Sequence, residues 1–140
     1  MKMLICHDGS ERAQSALEKS VAMFKRERPE IVLVTVIEEP ADASSHDEAS
    51  FEELRANREA DLRRAAEWVT TQGLDVEVVV AVGIGDPRKM LLAAVGKKNP
   101  DVVVITCRPP KGGVRFGRVT VSVSDYLIHH IDHCPVLVMH

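Results

Sequence analysis

The chain has 140 residues, enough for one hydrophobic core and too few for two ordinary domains, so residues 1–140 are expected to form a single domain. Its formal net charge of −3 gives no overall attraction to nucleic acid or to anionic membranes, and neither is expected as a partner. Hydrophobic residues make up 45% of the chain but aromatic residues only 4%, so an aliphatic core is expected.

Five short apolar runs predict five β-strands. They are residues 3–6, 31–37, 76–82, 102–105 and 136–139. The second and fourth runs are apolar at nearly every position, which is typical of parallel strands that helices cover on both faces of the sheet. The third run is interrupted by Glu77 and is therefore expected at a sheet edge.

Two amphipathic helices are predicted in the first half of the chain. One begins after Ser10, a favourable N-cap, and its apolar stripe consists of Ala13, Ala16, Leu17, Ser20, Val21 and Phe24. The other covers roughly residues 48–72, and its apolar side consists of Phe51, Leu54, Leu62, Ala65, Ala66 and Val69. The opposite side of this second helix mixes Glu and Arg, which indicates a solvated face with i,i+4 pairs.

Capping signals place two further helices. Asp86 followed by Pro87 predicts the start of the third helix, which stops at residues 99–100. The fourth begins within residues 121–124 and ends before residues 134–135. Strands and helices therefore alternate throughout, which predicts a one-domain α/β fold, a three-layer sandwich with right-handed crossovers.

Signals for export, membrane insertion and disulfide stabilisation are missing from the sequence. Its longest apolar stretches, such as residues 31–34, are far too short to span a bilayer, and residues 1–3 lead into a strand without a signal-peptide core. The three cysteines, Cys6, Cys107 and Cys134, are odd in number and lack CxxC spacing. A cytoplasmic protein with reduced thiols is expected.

Common catalytic and phosphate-binding motifs are missing as well. There is no GxxxxGK[ST] or GxSxG pattern, and residues 83–85 (GIG) lack the third glycine of the dinucleotide fingerprint. Ser10 has no evident base. His129 and His133 have an i,i+4 spacing that would suit a metal, but exposed polar positions near a helix end are the simpler interpretation. No catalytic residue and no metal site are expected.

A basic stretch follows the fourth strand, at the edge where open parallel sheets bind ligands. Its four cations are Arg108, Lys111, Arg115 and Arg118, and no acidic residue interrupts them. Beside a helix N-terminus, such a group suits an anion. A solvated loop whose charges only keep it soluble accounts for the pattern equally well, so both interpretations stay open.

Four short segments, taken together, resemble the universal stress proteins over the whole chain. They are residues 4–10 (LICHDGS), 85–87 (GDP), 122–126 (SVSDY) and 134–138 (CPVLV). The resemblance implies a five-stranded parallel sheet in the order 3-2-1-4-5, the universal-stress or adenine-nucleotide-hydrolase-like fold. It also implies a homodimer formed through the last strand, here Val136, Leu137 and Val138.

The family contains members that bind ATP or AMP and members that do not. In the nucleotide-binding members an aspartate after the first strand and backbone groups after the second hold adenine, while G-x2-G-x9-G-[ST] wraps the phosphates. The resemblance places Asp8 and Val36, or its neighbour Ile37, at the adenine positions. An altered phosphate site would then comprise Arg108, Lys111, Arg115, Ser122 and Val123.

The family's glycine pattern does not survive in this chain. Aligned from the strand, Thr106, Pro109 and Val121 replace its three glycines, and counting back from Ser122 loses all three as well. A phosphate cradle needs backbone N–H groups that point inward, often at residues with positive φ. Pro109 and Pro110 have no N–H, and the β-branched Val121 resists a positive φ. The usual cradle is therefore expected to be absent.

The sequence thus favours a cytoplasmic regulatory or interaction protein of the stress response. It is expected to form a homodimer, to have no enzymatic activity and no obligatory cofactor, and to resemble the family members that do not bind ATP. The alternative is a nucleotide sensor that binds ATP or AMP, or another anion, through Asp8, Val36 and the altered basic loop.

Overall fold

The computed structural model describes residues 1–39, 45–107 and 123–140. Strands and helices alternate in the order β1 (Lys2–Cys6), α1 (Glu11–Phe24), β2 (Glu30–Glu38), α2 (Ser45–Thr71), β3 (Val76–Gly83), α3 (Pro87–Lys98), β4 (Val102–Thr106), α4 (Val123–His130) and β5 (Val136–Met139). Every strand lies within one residue of the apolar run that predicts it. The α/β class is confirmed.

The five strands form one parallel sheet in the order β3-β2-β1-β4-β5. This confirms the order that the family resemblance implies, and it confirms that β3 is an edge strand. Leu4 of the central strand β1 pairs with Val32 of β2 and with Val103 of β4. Because the strand order reverses between β1 and β4, a crevice opens at their carboxyl ends.

Helices cover both faces of the sheet, which gives the predicted three layers. On one face α1 and α2 bury Leu17, Val21, Leu62, Ala65 and Val69 against the odd-numbered residues of β1 and β2. On the other face α3 and α4 bury Leu91, Val95 and Leu127 against the even-numbered residues of the same strands. Both cores are almost entirely aliphatic, as the composition predicts.

Helix α2 departs from its predicted pattern. Leu54, expected on the apolar side, is 46% exposed, and among the side chains of this helix that the structure describes the first fully buried one is Leu62. A helix of 27 residues is about 40 Å long, whereas the nine residues of β2 span about 30 Å. The first turns of α2 therefore extend past the part of the sheet that could bury them, and Leu54 lies there.

The helix ends follow their predicted signals. Ser10 caps α1 by accepting a hydrogen bond from the Ala13 N–H at 3.1 Å, and Asp86 caps α3 by accepting one from the Arg88 N–H at 3.0 Å. Helix α4 ends at His130, so His133 lies beyond it and shares no helical face with His129. The i,i+4 spacing of the two histidines therefore does not place them on one helical face.

No helix in the described residues is both long enough and apolar enough to cross a membrane.

Candidate functional site

A cavity of about 310 Å³ lies at the carboxyl ends of β1, β2 and β4, where the strand order reverses. The strand ends and the loop after β1 contribute Cys6, His7, Asp8, Val34, Thr35, Val36, Ile105 and Thr106. The helices contribute Ala13, Arg58, Pro87, Leu91, Val123, Ser124 and Leu127. This is the position at which open parallel sheets bind ligands, and its volume is within the usual range for such sites.

Three of the site residues that the sequence predicts line this one cavity. Asp8 and Val36, assigned to adenine, come from neighbouring strand ends, and Val123 lies at the start of α4. The remaining candidates for phosphate binding, Arg108, Lys111, Arg115 and Ser122, lie outside the described residues. Contact of any of these residues with a ligand stays a prediction.

The turn from β1 into α1 fixes the position of Asp8. Its Oδ1 accepts the Ser10 N–H at 3.0 Å, so the carboxylate shapes this turn. Gly9 has φ of +83°, a conformation that L-residues adopt only with strain, and a Cβ placed there would lie 2.5 Å from Asp61 Oδ2 of α2. Glycine therefore lets α2 pack closely against this turn.

His7 is buried beside the cavity and is held as a neutral ring. Its Nδ1 accepts the Gly9 N–H at 3.0 Å, and its Nε2 is 3.2 Å from Gln14 Oε1, to which it donates. Because Nδ1 must keep a lone pair for Gly9, protonation would break this bond. Burial lowers the pKa of His7 below 6.5, although the Gln14 hydrogen bond and the charges of Asp8 and Asp61 oppose that shift.

Replacing His7 by glutamine is expected to reduce the loss of stability in mild acid. The folded protein resists protonating His7, whereas the unfolded chain takes up the proton at about pH 6.5. The wild-type free energy of unfolding therefore falls as the pH drops from about 6.5 through the lowered pKa of His7. Urea unfolding measured between pH 7.5 and 5 should show a shallower fall for His7→Gln. The exposed-site variant His129→Gln should follow the wild type, and equal slopes for all three would contradict the prediction.

The cavity has one polar side and one apolar side, set by the alternation of side chains along each strand. Thr35, His7 and Thr106 face the α1/α2 layer, and continuing the pairing registers of β1 with β2 and β4 sets these three side by side. Val34, Val36 and Ile105 face the α3/α4 layer together with Leu91 and Leu127. A ligand with one apolar and one polar part matches this division.

Arg58 of α2 is the cation among the described lining residues, and it was not among the site residues predicted from the sequence. It lies among the Glu and Arg residues of a face expected to be solvated, yet it is half-buried and lines the cavity. Its Nη1 donates to Thr35 Oγ1 at 3.3 Å. The spacing to Leu62, one turn further along the apolar stripe, is the signal that could have identified it.

Two hydroxyl groups and a thiol complete the lining. Thr106 Oγ1 is buried and has no hydrogen-bond partner among the described residues, while Ser124 Oγ lies 3.4 Å from the Thr106 carbonyl oxygen, to which it donates. Burial raises the pKa of Cys6 to about 12, so this thiol stays protonated and is a poor nucleophile. The described lining therefore offers hydrogen bonds and apolar contact.

Within the described part of the chain, no group of three or more His, Cys, Asp or Glu residues is arranged to hold a metal ion. No disulfide joins Cys6, Cys107 and Cys134.

Comparison with known proteins identifies the family of this chain. The sequence matches the model of the Universal stress protein family over residues 1–140. Universal stress protein Sll1388 from Synechocystis sp. is 27% identical over 155 residues, which cover 99% of this chain and 96% of that protein.

Two solved structures share the fold. A universal stress family protein from Burkholderia pseudomallei has a TM-score of 0.77 and 20% identity, with 99% of this chain and 94% of that chain covered. A family protein from Arabidopsis thaliana, solved with AMP bound, has a TM-score of 0.66 and 18% identity, with 99% and 90% covered. Since the family model spans the whole sequence, the chain belongs to the universal stress protein family.

Proposed function

We propose that this stress-response protein is a regulatory protein that binds an adenine nucleotide in the cavity between β1, β2 and α4. The observation that carries the proposal is that Asp8 and Val36 line one cavity of about 310 Å³. The AMP bound to the Arabidopsis relative supports this ligand class. Both ring nitrogens of His7 are hydrogen-bonded, so it is not poised as a general base, and we assign no catalytic role.

The proposal separates the adenine side of the site from the phosphate side. Asp8 and Val36 keep the adenine positions of the family, whereas Pro109, Pro110 and Val121 leave no conventional glycine cradle for a triphosphate. We therefore propose that ATP gains little affinity over AMP. In the alternative, Arg108, Lys111 and Arg115, with Ser122 and Val123, rebuild a phosphate site of another shape and favour ATP.

A thermal-shift experiment with ATP, ADP, AMP and cyclic AMP tests nucleotide binding. At a free concentration of about 100 times Kd, a ligand adds about 2.7 kcal/mol to the stability, so a clear rise in Tm is expected. Asp8→Asn should reduce the rise while keeping an oxygen that can accept the Ser10 N–H. The proposal fails if none of the four nucleotides raises Tm.

The same assay distinguishes the two forms of the phosphate site. If the basic loop binds phosphates, the double substitution Lys111→Ala and Arg115→Ala lowers the shift with ATP more than the shift with AMP. If the cradle is lost without replacement, ATP and AMP give similar shifts in the wild type, and the double variant changes neither.

We also propose a cytoplasmic homodimer formed through β5. This strand pairs with β4 on one side, lies at an edge of the sheet, and has four half-buried side chains, Val136, Leu137, Val138 and Met139. An apolar edge strand favours pairing with a second chain.

Introducing a charge at Leu137 is expected to yield a monomer. The wild type should have twice the chain mass of 15.5 kDa by native mass spectrometry, and Leu137→Asp should have the single mass, because a buried unpaired carboxylate is costly. Val78→Asp, on the opposite edge strand where Val78 is 40% exposed, is the control and should stay dimeric. A monomeric wild type at high protein concentration would contradict this assignment.

A further inference from the structure

We infer that Arg58 and Thr106 recognise a phosphate group on the α1/α2 side of the cavity, so that the site selects a nucleoside monophosphate over the free nucleoside. The inference rests on the proposed nucleotide function and adds Arg58, which lies outside the family's glycine motif, and the hydroxyl of Thr106, which replaces the first glycine of that motif. It accounts for how a phosphate is held where the glycine pattern is missing.

The first observation is that Arg58 lines the cavity and forms no ion pair with a carboxylate among the described residues. Two neighbouring arginines of α2 form ion pairs, Arg55 with Glu59 and Arg64 with Asp61. Among the described residues Arg58 has no such partner, and its hydrogen bond goes to the neutral hydroxyl of Thr35, which is 3% exposed. A guanidinium has five N–H donors in a planar fork, and the hydrogen bond to Thr35 uses one of them.

The second observation is the buried hydroxyl of Thr106. Its Oγ1 has no hydrogen-bond partner among the described residues, a costly state for a buried polar atom that a ligand oxygen would relieve. Thr106 follows Val102 and Val104 on the strand face that α1 and α2 cover, which is also the face of Thr35. Across three strands spaced about 4.8 Å apart, Thr35 and Thr106 are roughly 10 Å from each other. These two residues and His7 between them form a row of side chains, and Arg58 approaches this row at the Thr35 end.

The division of the cavity then orients the ligand. A base packs against Val34, Val36 and Leu127 on the apolar side, where a charged group would lose its hydration. The phosphate lies on the polar side with Arg58 and Thr106. His7, between Thr35 and Thr106, is neutral, so it neither repels nor attracts the anion. Arg58 is therefore the described cation that can distinguish a charged ligand from a neutral one.

Calorimetric titration of the full chain with adenosine, AMP and inorganic phosphate tests the inference. AMP should bind about tenfold or more tightly than adenosine, as expected for charge-assisted hydrogen bonds. Arg58→Gln should bring the AMP affinity close to that of adenosine and leave adenosine binding unchanged. Arg55→Gln is the matched control, since Arg55 lies one turn earlier on α2 and pairs with Glu59, and it should bind like the wild type.

Thr106→Val provides a second variant with nearly the same shape. Because Oγ1 has no described partner, the substitution should keep or raise the Tm of the unliganded protein while lowering the AMP affinity several-fold. A loss of Tm would show that the hydroxyl is used within the protein and would remove Thr106 from the assignment.

The remaining outcomes separate this inference from the proposed function. Equal affinities for adenosine and AMP would overturn the phosphate assignment and leave nucleotide binding intact. If Arg58→Gln weakened the binding of adenosine and of AMP equally, Arg58 would contact the nucleoside instead of the phosphate. If inorganic phosphate bound as tightly as AMP, the site would be one for the free anion. Either result overturns the inference. If neither adenosine nor AMP binds, the proposed function fails as well.

Discussion

Leu62→Ala is expected to lower the free energy of unfolding by about 3 kcal/mol, because it removes a fully buried side chain from the centre of the α1/α2 layer. Leu62 packs α2 against the sheet, and Arg58 lies one turn away on the same helix. Loosening this contact should therefore weaken AMP binding in addition to stability. Urea unfolding and calorimetric titration measure the two effects.

Leu54→Ala is the matched control on the same helix. Leu54 is 46% exposed, so its truncation should change stability by no more than about 0.5 kcal/mol. If Leu54→Ala lowered the free energy of unfolding as much as Leu62→Ala does, the side chain of Leu54 would have to be buried against another surface in solution.

Gly9→Ala is expected to cost about 2 kcal/mol of stability and to impair ligand binding. Alanine at φ of +83° is strained, and its methyl group would displace the Asp61 carboxylate, which lies 2.5 Å from the Cβ position. The displaced turn would also move Asp8, which is held by the Ser10 N–H. Urea unfolding measures the stability, and thermal shifts with AMP report the ligand site.

Gly73→Ala isolates the backbone contribution to this cost. Gly73 has a similar φ of +78°, but no atom of the described residues beyond its chain neighbours lies within 4 Å of its Cβ position, so only the strain remains, about 1 kcal/mol. AMP should still raise the Tm of this variant as it does for the wild type. Equal losses of stability for Gly9→Ala and Gly73→Ala would mean that the Asp61 side chain moves away from the new methyl group without a cost in free energy.

The fold could be predicted from the sequence because its local signals agree with one another. The runs at residues 31–37 and 102–105 are apolar at consecutive positions, and the structure buries them between two helical layers. Ser10 and Asp86 mark helix starts by a chemistry that requires no tertiary contact. The strand order, by contrast, came from the family resemblance, since apolar runs do not specify which strands are neighbours.

The site was predictable only in part. Asp8 could be selected because it stands in the segment LICHDGS, and Val36, with Ile37 as the alternative, because the family resemblance assigns adenine contacts to the end of the second strand. Arg58 was missed, because a charge on an amphipathic helix looks alike whether it faces solvent or a cavity beside the sheet, and its spacing to Leu62 is the one sequence signal that favours the cavity. Thr106 looked like a replaced glycine, and the unmet hydrogen-bonding capacity of its hydroxyl becomes visible only when the neighbouring strands and helices are in place.

The excess length of α2 has a thermodynamic consequence for the cavity. Its C-terminal half is anchored by Leu62, Ala65 and Val69, whereas its described N-terminal part carries exposed side chains such as Leu54. Stability is distributed unevenly in such a helix, and the poorly buried turns open locally at a small fraction of the global unfolding energy. Arg58 stands at the boundary between the two halves. A ligand that it holds would therefore spend part of its binding free energy on suppressing this local opening.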